Sequence, residues 1–312
     1  MKAAQISAYG GKDVLQINDV EKPGAGPEQV LVEVYAAAVN PFDVTVREGG
    51  AQQMSALNFP ATLGGDVAGV VAEIGEGVTG FEVGQAVYGQ AHALSGLGSF
   101  AEFSPVKAAQ LAGKPTSLDF TATAAVPLVS GSAYQALVEH LNLQPGQKIL
   151  IQGGGGGIGS VAVQLAKHLG AHVTATAAAD DLDYVRGLGA DEVIDYQSQD
   201  FTQLVHDLDA VFDTVGGETN TKSYGILKPG GILVSMAAQP DEALAKQHDV
   251  QSIHQFTHTT TENLTKIAEL IDSGVLKIRV DKVFPLDQAA EALEYAKTGH
   301  PHGKVVIQVK TS

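Results

Sequence analysis

The feature that most constrains this chain is a glycine run set between an apolar strand and a helix. Ile149-Leu150-Ile151 passes through Gln152 into five glycines, Gly153 to Gly157, and then through Ile158 and Gly159 into the helix-forming Ser160-Val161-Ala162. Gly154, Gly156 and Gly159 fit the spacing G-x-G-x-x-G. The first allows a tight turn, the second lets backbone approach a pyrophosphate, and the third lets the helix pack on the strand. The helix start then offers free N–H groups and positive dipole to phosphate oxygens. Gly155, Gly157 and Ile158 complete the loop and belong to the same candidate dinucleotide site. A glycine run alone also suits a linker, but the strand before it and the helix after it favour the cradle.

At 312 residues the chain suits about two domains with substantial cores. Its formal charge of −16 argues against nucleic acid or an anionic membrane as partner, because phosphate binding relies on clustered Lys and Arg. There is no cysteine, which removes disulfides, thiolate catalysis and cysteine-ligated zinc together. The segment Met1-Lys2-Ala3-Ala4-Gln5-Ile6-Ser7 has no apolar signal core, and no apolar run reaches the roughly 18 residues of a membrane span. The expectation is a cytoplasmic protein.

Up to about Phe120 the pattern is of short strands cut by turns: Val30 to Val34, Val67 to Ile74 and Ala86 to Tyr88, punctuated by Gly75-Glu76-Gly77 and the Pro23 to Pro27 cluster. This predicts a β-rich, barrel-like domain. From about Thr121 strands and helices alternate. A helix from Ser132 to Leu141 precedes the strand at Lys148, and a helix over Ile158 to Leu169 follows the glycines. A strand is expected at His172 to Thr176, a helix near Leu182 to Leu188, and strands at Glu192 to Tyr196, Ala210 to Thr214 and Gly231 to Met236. Repeated βα units with near-continuous apolar strands predict a doubly wound parallel sheet. Helices at Glu262 to Ser273 and Leu286 to Thr298 and a strand at Lys304 to Val309 end the chain. The last strand has two destinations open to it, this sheet or the first domain.

In this order the segments Ala38 to Asp43, Leu63 to Val71, Gly131 to Leu137, the glycine loop with Val163 to Lys167, Leu188 to Asp191 and Gly303 to Val306 resemble the medium-chain dehydrogenase/reductase superfamily, in its zinc-independent quinone oxidoreductase and enone reductase branch. The resemblance covers nearly the whole length. It implies an α/β architecture with a GroES-like catalytic domain, 1–123 and 262–312, interrupted by a Rossmann dinucleotide-binding domain, 124–261. Zinc-dependent relatives carry metal ligands at positions that here look like Asn40, Gly65 and Leu128, which are not a usable ligand set, so no metal is expected. A site built from the ten histidines is disfavoured, since His254 and His258 share a face only on a helix and their surroundings read as extended.

The resemblance also suggests site residues. Asn40 would sit near the nicotinamide, its amide donating to a substrate oxygen as charge develops there, or it would simply cap a turn ahead of Pro41. Asp43 reads as a partner of Asn40 or Arg47, or as a helix-start carboxylate. Thr45 stands where such quinone reductases often have tyrosine, a departure that weighs against bulky quinones. Tyr88 is a candidate proton donor competing with a packed role. Ser132 would lie beside the nicotinamide, or serve as a helix N-terminal serine. Val215 would offer its backbone to the carboxamide, and Lys304 would reach the pyrophosphate or simply open a strand. At the end of the second strand Ala177 replaces the acidic residue that favours NAD. With Tyr196 this points to NADPH, although Asp180, Asp181 and Asp183 follow and the expected lysine is absent. Arg186 and His302 are candidate phosphate partners.

The function these residues imply is NADPH-dependent, metal-independent hydride delivery to a quinone or an α,β-unsaturated carbonyl such as an enone or enal. The alternative is a nucleotide-binding redox sensor or structural protein with little catalysis. A homodimer formed by pairing edge strands near Gly231 to Met236 is also expected.

Overall fold

The computed structural model describes residues 1–299 and 301–311, so that His300 and Ser312 fall outside the described residues. The chain divides into two compact units, one made of Met1–Leu128, Thr259–Asp272 and Ile278–Ser312 and the other of Val129–His258 and Ser273–Lys277.

The first unit is built on two sheets. The larger is organised by the long strand Gln29–Val39. From Val30 to Ala38 it pairs antiparallel with Asp66–Ile74. On its other side, residues 29–33 pair with Phe103–Lys107 and residues 36–39 with Lys304–Gln308. The terminal strand therefore returns to the first unit, where it also runs parallel to Val280–Pro285. Valines and isoleucines fill the interior, among them Val30, Val32, Val67, Val71, Val305 and Ile307, all almost fully buried. Their β-branched side chains suit a pleated surface packed on one face. Helix Pro41–Glu48 starts where the long strand ends, with Pro41 at a position that needs no N–H donor.

The second unit holds a six-stranded sheet among the described residues, in the spatial order Glu192–Asp195, His172–Ala177, Lys148–Gln152, Leu208–Asp213, Leu227–Ser235, Gln251–His254. Every pairing is parallel. The strand order reverses beside Lys148–Gln152, and in such sheets ligands bind at the carboxyl ends of strands flanking that reversal. Helix Gly157–His168 packs over the sheet through Val161, Ala162 and Leu165.

Two expectations are corrected. The segment Gly231 to Met236 is not an edge: the strand Leu227–Ser235 is paired on both sides, and the edge is Gln251–His254. The helix expected from Ser132 to Leu141 begins earlier, at Pro127, and its second half, Gln135–His140, is π-helical. Among the described residues no helix is long and apolar enough to cross a membrane.

Candidate functional site

In the second unit a cavity of about 730 Å³ opens over the carboxyl ends of the first four strands in sequence. That is the size range of small-molecule and cofactor pockets. Gly155, Gly156, Ala177, Tyr196 and Val215 line it, together with Gln152, Thr176, Asp181 and Lys222. Gly154 and Gly159 shape the loop from behind. Gly154 N–H donates to the Thr176 carbonyl at 2.7 Å. A Cβ on Gly159 would lie 2.1 Å from the Gly153 carbonyl oxygen, so helix and strand touch through backbone alone. Gly153 N–H donates to Thr176 Oγ1 at 3.0 Å, and that hydroxyl donates to Gln152 Oε1 at 2.8 Å. Gly156 caps the helix and Gly157 and Ile158 form its first turn. Loop amides and open backbone in front of a helix start suit the pyrophosphate of a dinucleotide.

Val215 is 54 % exposed at the mouth of the cavity and is held there by a residue that sequence reasoning missed. Asp213, fully buried at the end of its strand, accepts from the N–H groups of Val215 and Gly216, both at 2.9 Å, and from Asn220 Nδ2 and Ser235 Oγ, both at 2.8 Å. An aspartate ending an apolar run was the available signal, since a buried carboxylate survives only when its lone pairs are satisfied. Ser132 lies inside helix Pro127–Tyr134 rather than at its start. It is fully buried, and its hydroxyl is 2.6 Å from that of Thr257.

The acidic residues that complicate phosphate binding separate in space. Asp181 lines the cavity, its carboxylate standing against Gly155, whereas Asp183 pairs with Arg186 at 2.7 Å on the surface. Asp180 is exposed in the same turn. Arg186 is outside the cavity lining, and His302 belongs to the other compact unit. Among the described residues the one cation lining the cavity is Lys222, paired with Glu218 at 2.9 Å.

In the first unit Asn40, Asp43, Asp66 and Lys304 form a buried polar cluster. Asn40 follows the long strand as the N-cap of helix Pro41–Glu48, and Asp43 lies in the first turn of that helix, where its carboxylate accepts the Asn40 backbone N–H at 2.8 Å. That is one half of a capping box. The Asn40 side chain turns away from the helix: Nδ2 donates to Asp66 Oδ2 at 2.9 Å, and Oδ1 accepts from the Lys304 ammonium. Lys304 also donates to the Val39 carbonyl at 2.9 Å. Gln90 Nε2 and Leu128 N–H reach Asp66 Oδ1 at 3.2 and 3.1 Å. Arg47, which the sequence offered as an Asp43 partner, instead pairs with Glu48 and Glu294. Thr45 is on the exposed face of the helix and donates to the Pro41 carbonyl at 3.2 Å. Tyr88 is buried with its hydroxyl donating to the Leu264 carbonyl at 2.6 Å, and burial pushes its pKa up, so it takes the packed role and not that of a proton donor.

Burial dominates the electrostatics here. It raises the Asp66 pKa and lowers that of Lys304, while each charge partly restores the other. Asp43 is pushed up to about 7, first by burial and further by Asp66, against the opposing pull of the Asn40 N–H and Lys304. A carboxyl with a higher pKa folded than unfolded supports the fold fully below about pH 4, and that support fades as pH rises through about 7. Asp66 shifts in the same direction. Between pH 5 and 8 the wild type is therefore expected to lose melting temperature relative to Asp43→Asn, in thermal melts across that range; parallel curves would contradict the assignment.

Zinc does not fit this cluster. Asn40 already bonds a carboxylate and an ammonium, Gly65 has no side chain, and Leu128 contributes only its N–H, where zinc takes thiolate, imidazole or carboxylate donors. Among the described residues no three His, Asp or Glu side chains gather as a metal site elsewhere.

Two family models match the chain: the alcohol dehydrogenase GroES-like domain over residues 26–116 and the zinc-binding dehydrogenase over residues 188–307. A 2-methylene-furan-3-one reductase of Solanum lycopersicum is 37 % identical over 98 % of this chain and 79 % of its own length. An NADPH-dependent alkenal/one oxidoreductase of Arabidopsis thaliana, chloroplastic, is also 37 % identical, with the same coverage. Among solved structures, the quinone oxidoreductase from Coxiella burnetii superposes with a TM-score of 0.92 at 32 % identity, covering 99 % of each chain.

Proposed function

This chain belongs to the medium-chain dehydrogenase/reductase superfamily, in its quinone oxidoreductase and enone reductase branch, and on that footing we propose that it is an NADPH-dependent oxidoreductase that reduces a quinone or an α,β-unsaturated carbonyl without a metal ion. The observation that carries the reading is the cavity over the glycine loop, whose lining includes the backbone of Gly155 and Gly156 and whose second-strand position is the small, uncharged Ala177.

The Gly155, Gly157 and Ile158 N–H groups and the helix dipole hold the pyrophosphate in the loop that Gly154, Gly156 and Gly159 shape, Val215 offers its backbone to the carboxamide, and Ser132 borders the ring. Bound NADPH supplies the hydride. Asn40 donates an amide hydrogen to the acceptor's carbonyl oxygen as negative charge arrives there, and Asp43 holds Asn40 in place through its backbone N–H. Thr45, on the exposed helix face, is left without a catalytic part in this scheme. Residues 1–123 and 262–312 form the catalytic domain and 124–261 the cofactor domain. We extend the reading to a cytoplasmic homodimer joined through the edge strand Gln251–His254, which gel filtration tests.

For the 2′-phosphate, Tyr196 and Lys222 are the partners, both lining the cavity around Ala177. Asp181 and Asp200 line it too, so the preference for NADPH over NADH is modest in charge terms. Lys222→Met is expected to weaken NADPH binding about five-fold and leave NADH unchanged. An equal effect on both would remove Lys222 from phosphate recognition.

The test of the function combines melting curves with turnover. A ligand that binds only the folded state raises the melting temperature, and NADPH is expected to do so more than NADH. NADPH consumption is expected with members of a quinone and enone panel. Binding with no turnover on any acceptor would favour a sensor or structural role.

A further inference from the structure

The amide of Asn40 stands between two opposite charges. Its oxygen faces the Lys304 ammonium and its nitrogen faces Asp66. A flipped amide would set N–H against ammonium and oxygen against carboxylate, losing two charge-assisted hydrogen bonds at once, so the orientation is fixed. Lys304 is itself immobilised: its side chain is 7 % exposed, it donates to the Val39 carbonyl at 2.9 Å, and Asp66 Oδ2 lies 4.0 Å away. Two of the three positions at which a metal-binding relative would hold ligands, Asn40 and Leu128, both donate to Asp66, and the third, Gly65, precedes it in sequence. The cation that this carboxylate faces is an ammonium supplied by the chain.

We propose that Lys304 is a positioning residue that acts through Asn40, fixing and polarising its amide so that the chain's own ammonium provides the positive charge a metal ion would bring. This rests on the reading of Asn40 as the hydrogen-bond donor to the acceptor's carbonyl oxygen. One amide hydrogen is committed to Asp66, which leaves the second for the substrate oxygen. Drawing electron density toward Oδ1 strengthens Nδ2–H as a donor, because neighbouring hydrogen bonds polarise one another at low dielectric. The role differs from the pyrophosphate contact expected from sequence, and the two make opposite kinetic forecasts.

The test is a double-mutant cycle of Lys304→Met and Asn40→Ala in the full chain, with NADPH and a simple α,β-unsaturated ketone. Lys304→Met is expected to lower kcat roughly ten- to a hundred-fold, less than the roughly hundred- to thousand-fold loss of an oxyanion donor itself, because it acts through Asn40. The KM and the melting shift for NADPH stay within about two-fold of wild type. In the Asn40→Ala background the same substitution adds almost nothing, and Lys304→Arg restores part of the rate. A Lys304→Met enzyme with intact kcat and a ten-fold higher NADPH KM would overturn the inference in favour of phosphate binding. Losses that multiply in the double mutant would also overturn it. Should Lys304→Met fail to fold with Asp66 left unpaired, the cycle is run in an Asp66→Asn background, where both buried charges are gone. A wild-type enzyme that reduces no acceptor would overturn the functional reading and this inference with it; wild-type turnover with the wrong cycle overturns the inference alone.

Discussion

Gly159→Ala is expected to abolish the melting shift produced by NADPH and to destabilise the chain by about 2 kcal/mol or more, the scale of overpacking in a dense interior. The added Cβ would fall 2.1 Å from the Gly153 carbonyl oxygen, 2.7 Å from its carbon and 2.9 Å from Gly154 Cα. All three are backbone atoms of the loop itself and cannot rotate aside. Helix Gly157–His168 must retreat from the strand, and its N-terminal amides leave the phosphate position. Gly187→Ala is the control. It closes helix Leu182–Gly187 with nothing within 4 Å of an added Cβ, so alanine there is expected to be neutral or slightly stabilising. A Gly159→Ala protein that binds NADPH like wild type would show that the loop is not the phosphate cradle.

Asp213→Ala is expected to cost about 4 kcal/mol in denaturant unfolding. Truncation leaves the Val215 and Gly216 N–H groups, the Asn220 amide and the Ser235 hydroxyl facing an empty acceptor position, and each buried unsatisfied donor costs about 1–3 kcal/mol before relaxation. Gly216 adopts a left-handed backbone, φ 78°, that this carboxylate helps to hold. Loss of the bond is therefore also expected to loosen the turn carrying Val215 and weaken NADPH binding. Asp213→Asn keeps the shape but turns an acceptor into a donor, and an intermediate loss is expected. A stability change below about 1 kcal/mol in Asp213→Ala would contradict this account of the turn.

The second unit was legible in the sequence because its central strands are apolar on both faces. Ile149 to Ile151, Val211 with Phe212, and Leu233 with Val234 are buried runs ended by turn residues, as two-sided helix cover requires. Gln251–His254 was not legible. It has one aliphatic residue, Ile253, and is held by backbone pairing to Leu227–Ser235, so the edge of the sheet was misplaced by one strand. The glycine loop was readable as a local pattern, whereas Ala177, Tyr196 and Val215 came through the family resemblance and line the same cavity. Lys304 was read as a pyrophosphate contact or as a basic residue opening a strand, and not as a partner of Asn40, which is 264 positions away, because sequence spacing carries no trace of that contact. Lys222 was missed for a similar reason, since it faces the cavity from helix Gly217–Ser223, three elements beyond Tyr196.

The central claim is direct hydride transfer from NADPH to an organic acceptor without a metal ion. The measurement that reaches it uses NADPH carrying deuterium at both C4 positions of the nicotinamide, an α,β-unsaturated ketone, and enzyme stripped with chelator and verified metal-free by elemental analysis. The account predicts undiminished turnover and deuterium at the β-carbon of the saturated product. An enzyme that stays idle until zinc is added, or a product that carries no deuterium, would contradict it.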